Sequence, residues 1–258
     1  MRKMFAIAAL AALAGGGDSM AQSASDIAAR IALTQTPVGA LPPLATSTIK
    51  AEVQSGVVLS VRYGYLAGSG GAAAMNDFGA TAVLPVTLGT TFSLTGGVLG
   101  CSGCGTGLTL GIGGDTKVGE LPFGSGRDGS RVVFTLNGDL GYGQPSGTTF
   151  SHGSVLSGAV GLPISLVAGR RGADEMLFVP FITPGFGFGE IRSQRVEVVT
   201  PGGIITSEDS PSGSRFMLGG GVTLYNRSSN VGFDLGFQYV PVQQGQVLIG
   251  VGVSIGGR

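Results

Sequence analysis

Tryptophan is absent from this 258-residue chain, histidine occurs once and cysteine twice. One histidine and two cysteines fall short of the roughly four ligands that a structural zinc site needs. Charge is scarce as well, at 12% of residues, where a soluble domain of ordinary composition carries about a quarter. The charges that exist balance to a net of zero, which removes the electrostatic basis for a nucleic-acid partner. Long hydrophobic runs are also missing. The apolar run near the start, Phe5 to Ala14, is far below the roughly 20 residues that a membrane-spanning helix requires. Hydrophobic residues nevertheless make up 43% of the chain and mean hydropathy is +0.39, which excludes a disordered polypeptide. Glycine is abundant, at 49 residues. A chain so apolar, so poor in charge and without a helical anchor suits a β-protein of a cell envelope.

The N-terminus is consistent with export. Arg2 and Lys3 form a basic region, the short apolar run follows, and Ser19-Met20-Ala21 offers small residues where a signal peptidase reads. We expect residues 1–21 to be a secretory signal peptide cleaved after Ala21. A lipid anchor is not expected, because no cysteine lies at the cleavage site. Residues 22–50 read as a periplasmic lead-in. Asp26 to Leu33 can form a helical turn, which Pro37, Pro42 and Pro43 stop. The sharper alternative for this segment is a partial plug.

From about residue 51 the pattern has a period of two. Val231, Phe233, Leu235, Phe237 and Tyr239 alternate with Gly232, Asp234, Gly236 and Gln238; Val247 to Ile255 repeats the pattern. Such spacing puts each set on its own face of a strand. Similar segments begin near Val57, Phe78, Phe92, Leu108, Val132, Leu156 and Phe216. Leu177 to Arg192 is a strand of unclear register, because Pro180 and Pro184 interrupt it. Two architectures compete. A soluble sandwich would bury the apolar face, whereas a transmembrane barrel would turn it to lipid and enclose the polar one. Arg62, Asp115, Lys117, Asp139, Arg215 and Asp234 all fall on the face opposite the apolar one. We therefore expect an all-β fold, an antiparallel up-and-down transmembrane β-barrel over 51–258, with about ten strands and eight as the next count. Longer connections near 67–77, 100–106, 143–152, 193–213 and 241–245 fall on one side, as outer loops should. Leu121 to Ser130 is long for a turn on the other side.

These alternating strands, ending close to the C-terminus behind a signal peptide, resemble the small outer-membrane β-barrels of Gram-negative bacteria. The resemblance covers roughly 51–258 and rests on pattern. It implies residence in the bacterial outer membrane, contact with outer-membrane lipid and insertion by the outer-membrane assembly machinery. Without tryptophan, an aromatic girdle must come from Tyr63, Tyr65, Tyr142, Tyr225, Tyr239 and phenylalanines.

Several residues carry candidate chemistry. Cys101 and Cys104 form a C-x-x-C pair in a glycine-rich turn. In an oxidising envelope a small disulfide is the expected state, ahead of metal binding, redox catalysis or free thiols. His152 and Ser154 resemble the His-x-Ser pair of outer-membrane lipid A deacylases, with no acid close in sequence; a polar loop-edge histidine is the plainer reading. Glycine clusters at 111–114 and 185–189 precede no helical pattern and so are not phosphate-binding loops. Asn226-Arg227-Ser228 is an incidental match to a glycosylation sequon. The main candidate site is a polar lumen built from Arg62, Asp115, Lys117, Asn137, Asp139, Arg215 and Asp234, with Asp115 and Lys117 as one possible ion pair. The expected function is that of a non-enzymatic outer-membrane barrel of structural, adhesive or narrow-pore type, without a cofactor. The alternatives are a small-solute channel, a lipid hydrolase using His152 and Ser154, and a soluble secreted barrel or sandwich. The sequence names no ligand and sets no oligomeric state.

Overall fold

The structure, a computed structural model, describes residues 47–54, 56–67, 74–101, 105–123, 130–145, 154–168, 176–192, 196–200, 203–207, 212–240 and 246–257. The expected signal peptide and the helical turn at 26–33 lie outside these residues.

The period-two segments become strands. In chain order they are β1 (Val58–Leu66), β2 (Met75–Thr87), β3 (Thr90–Cys101), β4 (Gly105–Pro122), β5 (Arg131–Pro145), β6 (Ser154–Gly161), β7 (Ile164–Val167), β8 (Met176–Arg192), β9 (Val196–Thr200), β10 (Gly203–Ser207), β11 (Ser212–Asn226), β12 (Val231–Val240) and β13 (Gln246–Gly256). β9 and β10 form a separate hairpin in the connection between β8 and β11. The others pair antiparallel in a single sheet. β13 pairs with β1 from Val58↔Gly256 to Leu66↔Leu248, which closes the sheet on itself. β6 and β7 are two pieces of one stave, so the barrel has ten staves, in agreement with the expected count. Closure leaves the ten-stave sheet without an edge strand.

The two doubtful stretches have physical explanations. β8 is continuous through Pro180 and Pro184, and both prolines pair in register with β11, opposite Val222 and Leu218. Proline has no N–H for a second ladder. The neighbouring stave yields at these points: it splits between Gly161 and Ile164, opposite Pro184, and its regular pairing lapses again opposite Pro180. The long connection at Leu121 to Ser130 is partly strand, since β4 runs to Pro122 and β5 begins at Arg131.

The sheet separates the two faces. Leu59, Phe78, Leu108, Phe186, Phe233 and Ile255 stand exposed on the outer wall, while Ser60, Arg62, Asp77, Thr109, Asp234 and Ser254 are buried inside. A sandwich would need two sheets packed through their apolar faces; here one closed sheet turns its apolar face outward. Contiguous apolar surface of this extent marks contact with something other than water, and a lipid bilayer covers such a wall on every side. Tyr63, Tyr65, Tyr142 and Tyr239 are exposed on this wall as expected of a girdle. Tyr225 is a correction: it is fully buried inside. Its register partner is Gly232, and its ring occupies the space where a side chain of that glycine would stand.

Glycine at 221 is required by close approach. A Cβ there would lie 2.2 Å from the Leu235 carbonyl oxygen and 2.7 Å from the Gly236 Cα, both backbone atoms of β12. Gly221→Ala is expected to cost about 1–3 kcal/mol or more through overpacking. Gly96→Ala, whose nearest contact would be a Leu110 methyl at 3.8 Å, is expected to be tolerated. Urea midpoints of the two variants refolded into detergent would check the contrast; equal midpoints would contradict it.

Candidate functional site in the barrel lumen

The residues expected to line the lumen come from staves spread around the ring. Arg62 projects inward from β1, Asp115 from β4, Asn137 and Asp139 from β5, and Asp234 from β12. Arg215 lies in β11, but its side chain is outside the described set.

One end of the lumen holds a helix. The segment Ser47–Gln54, α1, crosses the expected boundary between lead-in and barrel at residue 50. Ser47 is a good helix-starting residue, and Gly56, at φ 88°, turns the chain out into β1. Eight residues are too few for a helix to be stable by itself, so contacts with the barrel hold it. Ile49 and Val53, four apart, share a face and pack on Val133, Val167, Leu177, Val179 and Tyr225 from four staves. Lys50 and Gln54 share the adjacent face. The Lys50 ammonium lies 2.7 Å from Asp234 Oδ2, with the two side chains 4% and 0% exposed. Thr223 Oγ1 donates to the other carboxylate oxygen at 2.6 Å. Gln54 Nε2 donates to the carbonyls of Asn230 and Ser254, at 3.0 and 3.2 Å. Gly256 lets this approach happen, because a Cβ there would meet the Gln54 carbonyl oxygen at 2.5 Å.

A half-exposed charge network extends from the same helix. Arg131 Nη2 donates to Glu52, and Arg131 Nε lies 3.6 Å from Glu120. Lys117 was the expected partner of Asp115; its ammonium instead lies 2.9 Å from Glu120 and 3.9 Å from Glu52. A bulge accounts for this pairing. The register with β5 shifts between Lys117 and Gly119, so Val118 is the extra residue and Glu120 returns to the same side as Lys117.

Farther along the lumen, charged groups lie apart from their counter-charges. Arg62 is 7% exposed and Asp77, on β2, is 3% exposed. Asp77 and Asp139 are both within electrostatic reach of the guanidinium. Yet, among the described residues, Arg62 Nε and Nη2 and both Asp77 carboxylate oxygens have no hydrogen-bond partner. Thr109 Oγ1, Thr183 Oγ1 and Asn137 Oδ1 are in the same condition. Asp139 accepts a long hydrogen bond, 3.5 Å, from Asn137 Nδ2. Buried polar atoms of this kind require water or a solute. This part of the interior therefore presents unmet donors and acceptors from several staves. Beyond it, toward the end away from α1, Leu66, Leu99, Met217 and Leu248 are buried and narrow the interior.

Sequence reading missed Asp77, Lys50, Glu52, Gln54 and Glu120. Asp77 has a usable signal: it precedes Phe78 and so has inward parity, and β2 begins three residues before that phenylalanine, at Met75. The other candidates are less fully described. His152 and Cys104 lie outside the described residues, and with them the His-x-Ser pair and the expected disulfide. Ser154 opens β6, paired with Arg192. Among the described residues no group of three or more histidine, cysteine or acidic side chains is arranged to hold a metal.

No family model and no curated protein matches the chain. Solved structures do show a likeness. The chain is similar to the N-terminal β-barrel domain of Pseudomonas aeruginosa OprF, at 13% identity over 78% of this chain and 96% of that one, with a TM-score of 0.33. It is similar to LpxR from Salmonella typhimurium, at 10% identity over 79% and 100%, with a TM-score of 0.39. It is also similar to Ail, the attachment invasion locus protein of Yersinia pestis, at 13% identity over 78% and 97%, with a TM-score of 0.28. The fold assignment stands on the strand pairing and on the partition of side chains. Together these make the chain a closed, ten-stave antiparallel β-barrel of transmembrane type, with an apolar outer wall and a polar lumen that holds a helix at one end.

Proposed function

We propose that this chain is an integral protein of the bacterial outer membrane, a narrow, non-catalytic passage for small polar solutes that α1 keeps closed at rest. The observation that carries this reading is the polar mid-lumen, where buried polar atoms from several staves have no hydrogen-bond partner among the described residues. A barrel serving only as a scaffold would be expected to fill its interior with side chains that satisfy one another. α1 supplies the closure, because it packs across the lumen and is held by one buried ion pair.

The lumen charge sets an expected selectivity. Asp77, Asp115, Asp139, Asp234, Glu52 and Glu120 outnumber Arg62, Lys50, Lys117 and Arg131 among the charges described there. A passage with this excess favours cations. The test is planar-bilayer recording of the purified chain, after boiled and unboiled samples have confirmed a heat-modifiable, detergent-requiring barrel. Wild type is expected to conduct weakly. Deleting residues 47–54 should raise conductance severalfold with cation preference. Arg62→Gln should strengthen that preference and Asp139→Asn should weaken it. A barrel that stays silent after the helix is removed would overturn the passage and leave a structural role. Recovery of the protein without detergent would overturn the membrane assignment.

A further inference from the structure

We propose that the mid-lumen is a binding site for a small zwitterion, with its anionic group on Arg62 and its cationic group on Asp77. The inference rests on the passage reading for the route by which a solute arrives.

The two side chains are diagonal neighbours on the inner face of adjacent strands. Directly across the ladder from Arg62 stands Gly79, and directly across from Asp77 stands Gly64. Neither strand places another side chain between them. On the other side of β1, Gly252 pairs with Arg62 and Gly250 with Gly64; Gly236 continues the row on β12. The guanidinium and the carboxylate therefore stand on a floor of bare glycine backbone. Each is more than nine-tenths buried, and each is within electrostatic reach of the other. They do not meet, since among the described ion pairs Arg62 has none. The guanidinium offers Nε and Nη2 as unused donors, and the carboxylate offers both oxygens as unused acceptors.

Burying two unpaired, opposite charges next to each other without contact is costly, because each loses hydration and neither gains a hydrogen bond. A solute that carries a carboxylate and an ammonium group on a short backbone satisfies both. Its carboxylate accepts from the planar donor edge of Arg62, and its ammonium donates to Asp77. A simple anion would leave Asp77 unsatisfied and a simple cation would leave Arg62 so, which selects the zwitterion over either.

The probes are radiolabelled glycine, acetate and methylammonium, equilibrated overnight with the full chain in detergent and read by equilibrium dialysis over a concentration series. Glycine is expected to bind saturably and at least about tenfold more tightly than either half-molecule, because its second contact forms within an existing complex. Arg62→Gln should abolish glycine and acetate binding and spare methylammonium; Asp77→Asn should abolish glycine and methylammonium binding and spare acetate. Wild type that fails to saturate with glycine, or that binds it no better than its halves, overturns the proposal. This comparison on the unmodified protein holds even if a variant does not fold. Conductance is read separately. A barrel that binds glycine and never conducts keeps the site and loses the passage, whereas one that conducts and binds no glycine keeps only the passage.

Discussion

Asp234→Asn releases helix α1 from the lumen. The carboxylate it removes is the counter-charge of Lys50, 2.7 Å away and almost fully enclosed, and it also accepts from Thr223. Breaking such a buried pair from one side costs about 3–5 kcal/mol, because the remaining charge is left uncompensated. An eight-residue helix has no comparable reserve of its own. The ten-stave ladder does not depend on the pair, so the barrel itself is expected to survive. The variant should keep its heat-modifiable mobility, become open to protease within 47–54 and gain conductance. A double variant, Lys50→Met with Asp234→Leu, separates charge from shape. Replacing both partners by apolar groups of similar size is often neutral, so the helix should stay seated and the lumen closed. If Asp234→Asn remains protected and silent, the ion pair does not hold the helix.

Leu235→Arg, one residue along the same strand, should fail in a different way. Leu235 is exposed on the outer wall at the middle of β12. An arginine on the lipid face near the membrane midplane costs about 2–4 kcal/mol. The strand cannot rotate the charge inward without turning Asp234 and Gly236 outward, since a shift of one residue exchanges the two faces. Reduced insertion into vesicles is therefore expected, whereas the same variant in detergent should be affected less because micelles deform around a charge. Equal insertion of Leu235→Arg and wild type would show that this wall does not face hydrocarbon.

The sequence alone was sufficient for the wall. Alternation in a strand is a property of the local backbone, so Phe233 outward and Asp234 inward follow from spacing before any partner is known. Ten such segments, with charges confined to one parity, made a closed barrel legible and placed Arg62, Asn137, Asp139 and Asp234 inside it. Even the prolines of β8 carried a correct warning. They mark where the neighbouring stave splits, although only the paired structure shows that stave making the adjustment.

What occupies the lumen was decided by tertiary structure. Ile49, Lys50, Val53 and Gln54 form no conspicuous pattern in sequence, and Pro37, Pro42 and Pro43 before them stop the helical turn expected at 26–33. Their meaning comes from Asp234, Asn230 and Ser254, more than 170 positions away, which closure of the sheet brings to the same end. Lys117 joins Glu120 and Glu52 because a bulge resets parity, and nothing in period-two spacing announces a bulge. Tyr225 points inward by the parity of its own strand, opposite to Leu224, and register adds Gly232 on the same rung, which leaves room for its ring. Arg62 and Asp77 become diagonal neighbours only through the register of β1 on β2. Side-chain direction is fixed by each residue's own strand, but side-chain company is fixed by register and closure. These depend on all ten staves at once.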